Sequence, residues 1–169
     1  MLEVVLFVGL PASGKSTFYR ERLAWSHVLV SKDAMRRGSN KVRRQRREIE
    51  AALGEGRSVV VDNTNVSRAE RAEIIDIAQA FEARVVVYRF AESVADCRER
   101  NSRREGDACV PLVAIYSAAK RYEEPLTEEG IDEIHVVRLS EGIFAAYNDA
   151  RAESGTSILL ESDANSVNK

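Results

Sequence analysis

An apolar run, Val4-Val5-Leu6-Phe7-Val8, leads directly into Gly9-Leu10-Pro11-Ala12-Ser13-Gly14-Lys15-Ser16. The second stretch fits the pattern Gly, four residues, Gly-Lys-Ser, a loop that cradles phosphates between a strand and a helix. Leu2–Val8 reads as a buried strand, and Thr17 to Leu23 as the helix after the loop. Each residue type has a physical reason to be there. Gly9 and Gly14 let the backbone turn and approach an anion without Cβ clashes. Successive N–H groups from Ala12, Ser13 and Gly14 to Thr17 form an anion nest at the positive end of a helix, with Pro11, which has no N–H, shaping the turn before them. Lys15 is placed to reach the β- and γ-phosphates, and the Ser16 hydroxyl to ligate Mg²⁺. A Gly-rich turn arises by chance as well, but rarely at residue 9 between a strand and a helix. The stretch points to a nucleoside triphosphate.

The remaining composition excludes more than it assigns. At 169 residues the chain suits one domain with a real core. No apolar run reaches the roughly eighteen residues that span a bilayer, and the first residues lack a basic leader, so no membrane association and a cytoplasmic location are expected. Cys97 and Cys109 have no metal-ligand spacing and read as two reduced thiols. A net charge of −2 argues against a protein that coats nucleic acid, but it conceals local asymmetry.

His27 to Ser31 predicts a short second strand, ending at Lys32-Asp33-Ala34-Met35-Arg36. Ligands bind at the carboxyl ends of strands in an open parallel sheet, so Asp33 falls where chemistry is expected. A carboxylate there can take the proton of an attacking hydroxyl; the same position also suits a helix N-cap, and one residue can do both. If Asp33 opens a helix, Arg36 lies one turn on, on the same face, where it can clamp a phosphate. From Arg36 to Arg47, seven of twelve residues are Lys or Arg, while Val42, Ile49, Ala52 and Leu53 supply a sparse apolar face. Such a run is either a solvated helix face or a surface that neutralises a polyanion, and its start at Asp33 favours the second.

Ser58 to Asp62 predicts a third strand, an apolar run ending in an acid near which Mg²⁺ is held in phosphoryl-transfer sites. Asp62 is thus a candidate metal-associated residue, or one that orients the loop Asn63-Thr64-Asn65. Either Asn65 or Ser67 can cap a helix over Arg68–Phe81. Arg84–Phe90 reads as a fourth strand, Ala91–Arg104 as a helix turning strongly basic, and Ile134–Arg138 as a fifth strand. His27 and His135 read as strand histidines. Arginines of a segment such as Arg98 to Arg104 can stabilise charge on a transferring phosphoryl group, although one or two also suit a helix C-terminus.

Three blocks together resemble the kinase domain of phage-type polynucleotide kinases, within the P-loop kinases. They are Gly9–Thr17, Lys32-Asp33-Ala34-Met35-Arg36, and Arg100-Asn101-Ser102-Arg103-Arg104 followed by Val110-Pro111. The resemblance spans roughly residues 3 to 125, and the third block is the narrowest. Asp62-Asn63-Thr64-Asn65 also fits, one residue longer than that family's pattern. It implies that Asp33 is the general base for a 5′-hydroxyl, that Arg36 contacts the acceptor's 3′-phosphate, and that Asn63 belongs to the acceptor site. It further implies that Arg100 and Arg104 reach the ATP phosphates, with Arg104 completing the cage, and that Val110 and Pro111 form an apolar platform for the terminal base. ATP and Mg²⁺ are the implied cofactors, and a 5′-OH end of DNA or RNA the implied partner. The family's Asp-x-Asp-x-Thr phosphatase motif is absent from these residues, so a phosphatase or ligase is expected on a separate protein.

The expected fold is a single α/β P-loop kinase domain over residues 1–150, with five parallel strands, helices on both faces and an Arg-rich lid. Residues 151–169 are expected to be a polar tail, frayed beyond Leu160. The expected activity is transfer of the ATP γ-phosphate to a 5′-hydroxyl. A kinase of a small hydroxylated molecule, such as a sugar, an antibiotic or a nucleotide sugar, shares the same machinery but has no need of the Arg36–Arg47 run. A nucleotide-dependent switch is a third reading, disfavoured by the arginine cluster and the lack of an Asn-Lys-x-Asp motif.

Overall fold

The computed structural model describes residues 1–32, 35, 40–140 and 142–149. Asp33, Arg36 and the tail from residue 150 onwards lie outside the described residues. Among the described residues six strands form one sheet in the order β2-β3-β1-β4-β5-β6. They are β1 (Glu3–Val8), β2 (Val28–Val30), β3 (Val59–Val61), β4 (Arg84–Phe90), β5 (Glu133–Ser140) and β6 (Ile143–Asn148). The helices are α1 (Lys15–Arg22), α2 (Lys41–Gly54), α3 (Arg68–Ala80), α4 (Val94–Ser102) and α5 (Leu112–Lys120).

β1 is central, pairing parallel with β3 on one side (Val4 opposite Val59) and β4 on the other (Val4 opposite Val85). Its residues Val4 to Val8 are buried because helices cover both faces, which is why the strand reads as an unbroken apolar run. Alternation along the strand then divides the core. Val4, Leu6 and Val8 pack with Ile49 and Leu53 of α2 and Ile74 and Ala78 of α3. Val5 and Phe7 face the other way, onto Phe18 of α1, Phe90 and Phe144. Phe18 is the hub of that layer, with edge-on rings of Phe7, Phe90 and Phe144 at 5.9, 5.5 and 5.4 Å between centroids.

The sheet corrects the expectation of five parallel strands. β6 is a sixth strand and runs antiparallel to β5, with Leu139 opposite Phe144 and Ser140 opposite Ile143. Its residues, Ile-Phe-Ala-Ala-Tyr-Asn, include two alanines with weak strand preference, so the local signal is faint. The strand is held by tertiary contact: Phe144 and Ala146 are buried in the Phe18 layer, and Gly142 turns the hairpin at φ +81°. A second correction concerns α2. Val42 is half exposed rather than on the apolar face, and Gln45 takes the buried position instead. At α3 the capping choice resolves to Ser67, whose hydroxyl accepts from the Glu70 N–H while Glu70 reaches back to the Ser67 N–H. Asn65 is instead buried, with φ +44°, and its side-chain amide donates to the carbonyl of Phe7 at 2.8 Å.

Candidate active site

The phosphate loop runs from the carboxyl end of β1 to α1, and the sheet leaves no alternative at its first residue. A Cβ on Gly9 lands 2.8 Å from Phe90 Cβ, so only glycine passes that point. Gly14 is the N-cap of α1 in the left-handed region, φ +99°, with no side-chain cap, so the first turn of α1 presents its N–H groups to the loop. A Cβ there meets the Phe144 ring at 3.0 Å, which ties the loop's second glycine to the hairpin β5–β6. Ala12 also has positive φ, +63°, inside the loop.

Lys15 is buried, and its Nζ donates to the carbonyls of Gly9 at 3.0 Å and Leu10 at 2.6 Å and to Ser13 Oγ at 3.3 Å. The loop thereby holds the ammonium at its own mouth. β3 is the parallel neighbour of β1, so its carboxyl end lies beside the loop, and Asp62 follows it directly. Ser16 Oγ donates to Asp62 Oδ2 at 2.6 Å, a charge-assisted bond between two hard oxygen donors. Hydroxyl and carboxylate oxygens suit Mg²⁺, which takes one or two protein ligands and fills the rest with water and phosphate oxygens. Among the described residues no group of three or more His, Cys, Asp or Glu is placed to hold a metal ion. Gly9 N–H donates to the Thr64 carbonyl at 3.0 Å, stitching the loop to the segment after β3.

Asn63 joins three elements. Its Oδ1 accepts from the Lys32 N–H at 2.9 Å, at the end of β2, and its Nδ2 donates to Gln45 Oε1 at 2.8 Å on α2. Lys41 Nζ donates to the Lys32 carbonyl at 2.9 Å from the first turn of α2. Lys32 is thus fixed from two sides immediately before Asp33. The arginines of α2 (Arg43, Arg44, Arg46 and Arg47) are exposed.

Facing the loop across a cavity of about 430 Å³ are Arg104 and Val110, with Ala114, Ser117, Ala118 and Arg121. The loop from Pro11 to Thr17 and the segment Asp62-Asn63-Thr64 complete its lining. Asn101 builds this wall. Its amide is buried on α4 and clips the Val110 backbone both ways, donating to the carbonyl at 2.8 Å and accepting the N–H at 3.0 Å. The Arg100–Arg104 segment and the Val110-Pro111 step are therefore one unit. Arg104 donates to the Ala108 carbonyl at 3.3 Å and lines the cavity. Arg100 does not line it: its guanidinium is held by the Glu92 carboxylate, which also accepts the Leu139 N–H at 2.8 Å. Pro111 is the exposed N-cap of α5 and stays outside the lining as well.

Arg121 was not singled out by its sequence context. Its signal is helical spacing: Ala114, Ser117, Ala118 and Arg121 follow one another at i, i+3, i+4 and i+7, a row of small side chains with a cation at its end. Arg121 Nη1 donates to Glu70 Oε1 at 2.6 Å. Burial pushes the Glu70 carboxyl up, but the Arg121 hydrogen bond, the N–H groups at the start of α3 and the Arg121 charge outweigh it and leave it below the ordinary value. Behind the wall, Cys97 is buried, and burial pushes its thiol up to about 11, so it is an inert packing residue.

The family of AAA domains designated AAA_33 matches residues 4–125. The bifunctional polynucleotide phosphatase/kinase of Schizosaccharomyces pombe is 32% identical over 139 residues. That match takes in 80% of this chain but only 33% of the relative, so the chain spans about a third of that protein's length. Among solved structures, a fungal RNA kinase aligns with a TM-score of 0.60 at 16% identity, over 83% of this chain and 38% of its own. A gluconokinase from Sinorhizobium meliloti aligns with a TM-score of 0.57 at 18% identity, over 82% and 83%. At these identities the two structures share the fold.

Proposed function

The chain belongs to the AAA domain family AAA_33 and has the P-loop kinase fold, and on that premise we propose that it is an ATP-dependent polynucleotide 5′-hydroxyl kinase. The observation that carries the reading is the joined wall: Asn101 locks Arg104 and Val110 together across one cavity from Lys15, Ser16 and Asp62. An arginine for phosphate charge and an apolar side chain for a base thus face the same phosphate loop. Similarity to the polynucleotide phosphatase/kinase supports a nucleic-acid acceptor.

In this reading the 5′-oxygen attacks the γ-phosphorus of ATP in line. A P–O bond to the acceptor forms, the bond to the β,γ-bridging oxygen breaks, and ADP leaves with its charge held by the loop. Lys15 Nζ, held at the loop mouth, turns to the β- and γ-phosphate oxygens. Ser16 and Asp62 would hold Mg²⁺, which would supply neutralisation of phosphate charge. Arg104 contacts the transferring group from the opposite wall. Asp33 and Arg36, outside the described residues, take the base and acceptor-phosphate roles, with Lys32 anchored beside them by Asn63 and Lys41. Val110 carries the terminal base, with Pro111 beyond it. Arg100 joins the phosphates only if its guanidinium leaves Glu92.

The test is label transfer from γ-³²P-ATP with Mg²⁺ to a 5′-OH oligonucleotide, with Asp33→Asn alongside. Label on the oligonucleotide that is lost in the variant supports the kinase and its base together. ATP binding without transfer to any oligonucleotide, but with transfer to a sugar, replaces the acceptor by a small hydroxylated molecule.

A further inference from the structure

Two cavities meet at one ion pair. The larger is the phosphate-loop cavity, with Arg121 in its lining; the smaller, about 170 Å³, is lined by Lys32, Asn63, Thr64, Asn65 and Glu70. Asn63 and Thr64 border both, and the Arg121–Glu70 bond spans the boundary between them. Lys32, in the lining of the smaller cavity, directly precedes Asp33, the acceptor-activating residue of the reading above, and none of its lining residues belongs to α1.

Glu70 is fixed. It is the third residue of α3, held by the reciprocal bonds with Ser67. Arg121, by contrast, extends from the end of α5 and is half exposed. A guanidinium has more donors than one carboxylate oxygen uses. The row of Ala114, Ser117 and Ala118 leaves the space in front of it open. A phosphate matches the guanidinium fork as well as a carboxylate does and carries more charge.

We propose that Arg121 is a phosphate-binding residue for the acceptor strand, held ready by Glu70 and released to the acceptor's backbone phosphate when the strand enters. The assignment rests on the polynucleotide reading above and names how that acceptor is told from an uncharged one. Glu70 is then a competitor for Arg121 and sets the threshold of acceptor binding.

The opposite effects of two variants test it. Arg121→Gln keeps the bulk and removes the charge; the KM for a 5′-OH oligonucleotide is expected to rise about tenfold, with the KM for ATP unchanged, as for loss of one charge-assisted phosphate contact. The salt dependence of oligonucleotide binding is expected to become shallower by about one ion. Glu70→Gln keeps the helix cap, since glutamine serves in a capping box, and frees Arg121; the oligonucleotide KM is expected to fall. A pair that only braces α3 against α5 predicts that both variants act in the same direction, and that result overturns the assignment. A rise in the ATP KM in Arg121→Gln overturns it too, giving the residue to the triphosphate. Equal oligonucleotide KM in the variant and the wild type overturns the Arg121 role alone. Failure of the wild type itself to label any oligonucleotide overturns the polynucleotide reading and this role with it.

Discussion

The two walls of the cavity are built on opposite terms. On the phosphate-loop side, three polar groups are buried and bound to the protein itself, Lys15 at 8% exposed, Asp62 at 7% and Ser13 fully covered, while Ser16 is exposed. On the α4–α5 side, charged groups stand in solvent, as with Arg103, whose side chain is 72% exposed and rests on Glu99. The first wall fixes its backbone, with Gly9 N–H tied to the Thr64 carbonyl, so that in the proposed reading only side chains such as Lys15 turn when charge arrives. The backbone of the second is clipped by the buried Asn101, but exposed side chains such as Arg103 rest on ion pairs worth little each and can move at small cost. In the proposed reading, a site of this kind keeps the anion cradle in place and brings exposed arginine side chains to it.

The largest expected effect comes from the brace behind the fixed wall. Arg71 is fully buried, bonds both oxygens of Glu129 at 2.8 Å, and donates to the carbonyls of Asn65, Val66 and Glu123. It clamps the segment after β3 that carries the loop next to Asp62. Arg71→Met leaves the buried Glu129 carboxylate with only Arg68 at 3.8 Å and the Leu126 N–H at 3.1 Å, and is expected to cost about 3–5 kcal/mol, read from urea unfolding. Burial pushes the Glu129 carboxyl up, but the Arg71 hydrogen bonds and charge, the Leu126 N–H and Arg68 hold it below its ordinary value of 4.5. A carboxyl lowered in the folded state stabilises fully above its unfolded value and loses that contribution as pH falls through the folded one. Wild-type stability is therefore expected to drop below pH 4.5, and the Arg71→Met variant to lose that part of the drop.

Next in size is the loop cation. Lys15→Ala removes an ammonium that in the proposed reading serves the transition-state charge, and kcat is expected to fall by about a hundredfold or more. If kcat holds and only the ATP KM rises, the fixed wall binds the triphosphate without favouring transfer, and the contrast between the walls loses its catalytic meaning.

What the sequence displays of this arrangement is its local part. The phosphate loop, the boundaries of β4 at Arg84 and Phe90, and the acid that ends β3 are each written in neighbouring residues, because turn chemistry and strand burial are local. What is missing depends on partners far along the chain. β6 exists through Phe144 against Phe18, a contact that Ala145 and Ala146 do nothing to announce. Arg121 lies 51 residues from Glu70, and neither side chain is unusual alone. Arg100 carries a family pattern, yet Glu92 binds it, a carboxylate whose second partner comes from β5. The distinction between Val42 and Gln45 on α2 likewise needs Asn63, which hydrogen-bonds Gln45 from another strand's end.

The smallest effects separate two adjacent arginines of the movable wall. Arg104 lines the cavity and Arg103 turns to Glu99 in solvent, one helical turn back along α4. Arg103→Gln removes an exposed i,i+4 pair worth about 0.3–0.5 kcal/mol, so both stability and kcat are expected to stay close to wild type. Arg104→Gln changes stability as little, since its guanidinium holds one carbonyl at 3.3 Å, but it removes a charge facing Lys15 across the cavity. Its kcat is expected to fall at least tenfold while Arg103→Gln does not, in the same label-transfer assay. Equal losses in both variants mean that the segment acts through its summed charge, as a steering field that added salt weakens, and not through one arginine aimed at the phosphoryl group. Repeating the pair of assays at high salt decides between these, because a guanidinium in direct contact with the transferring oxygens is screened less than a field acting at a distance through solvent.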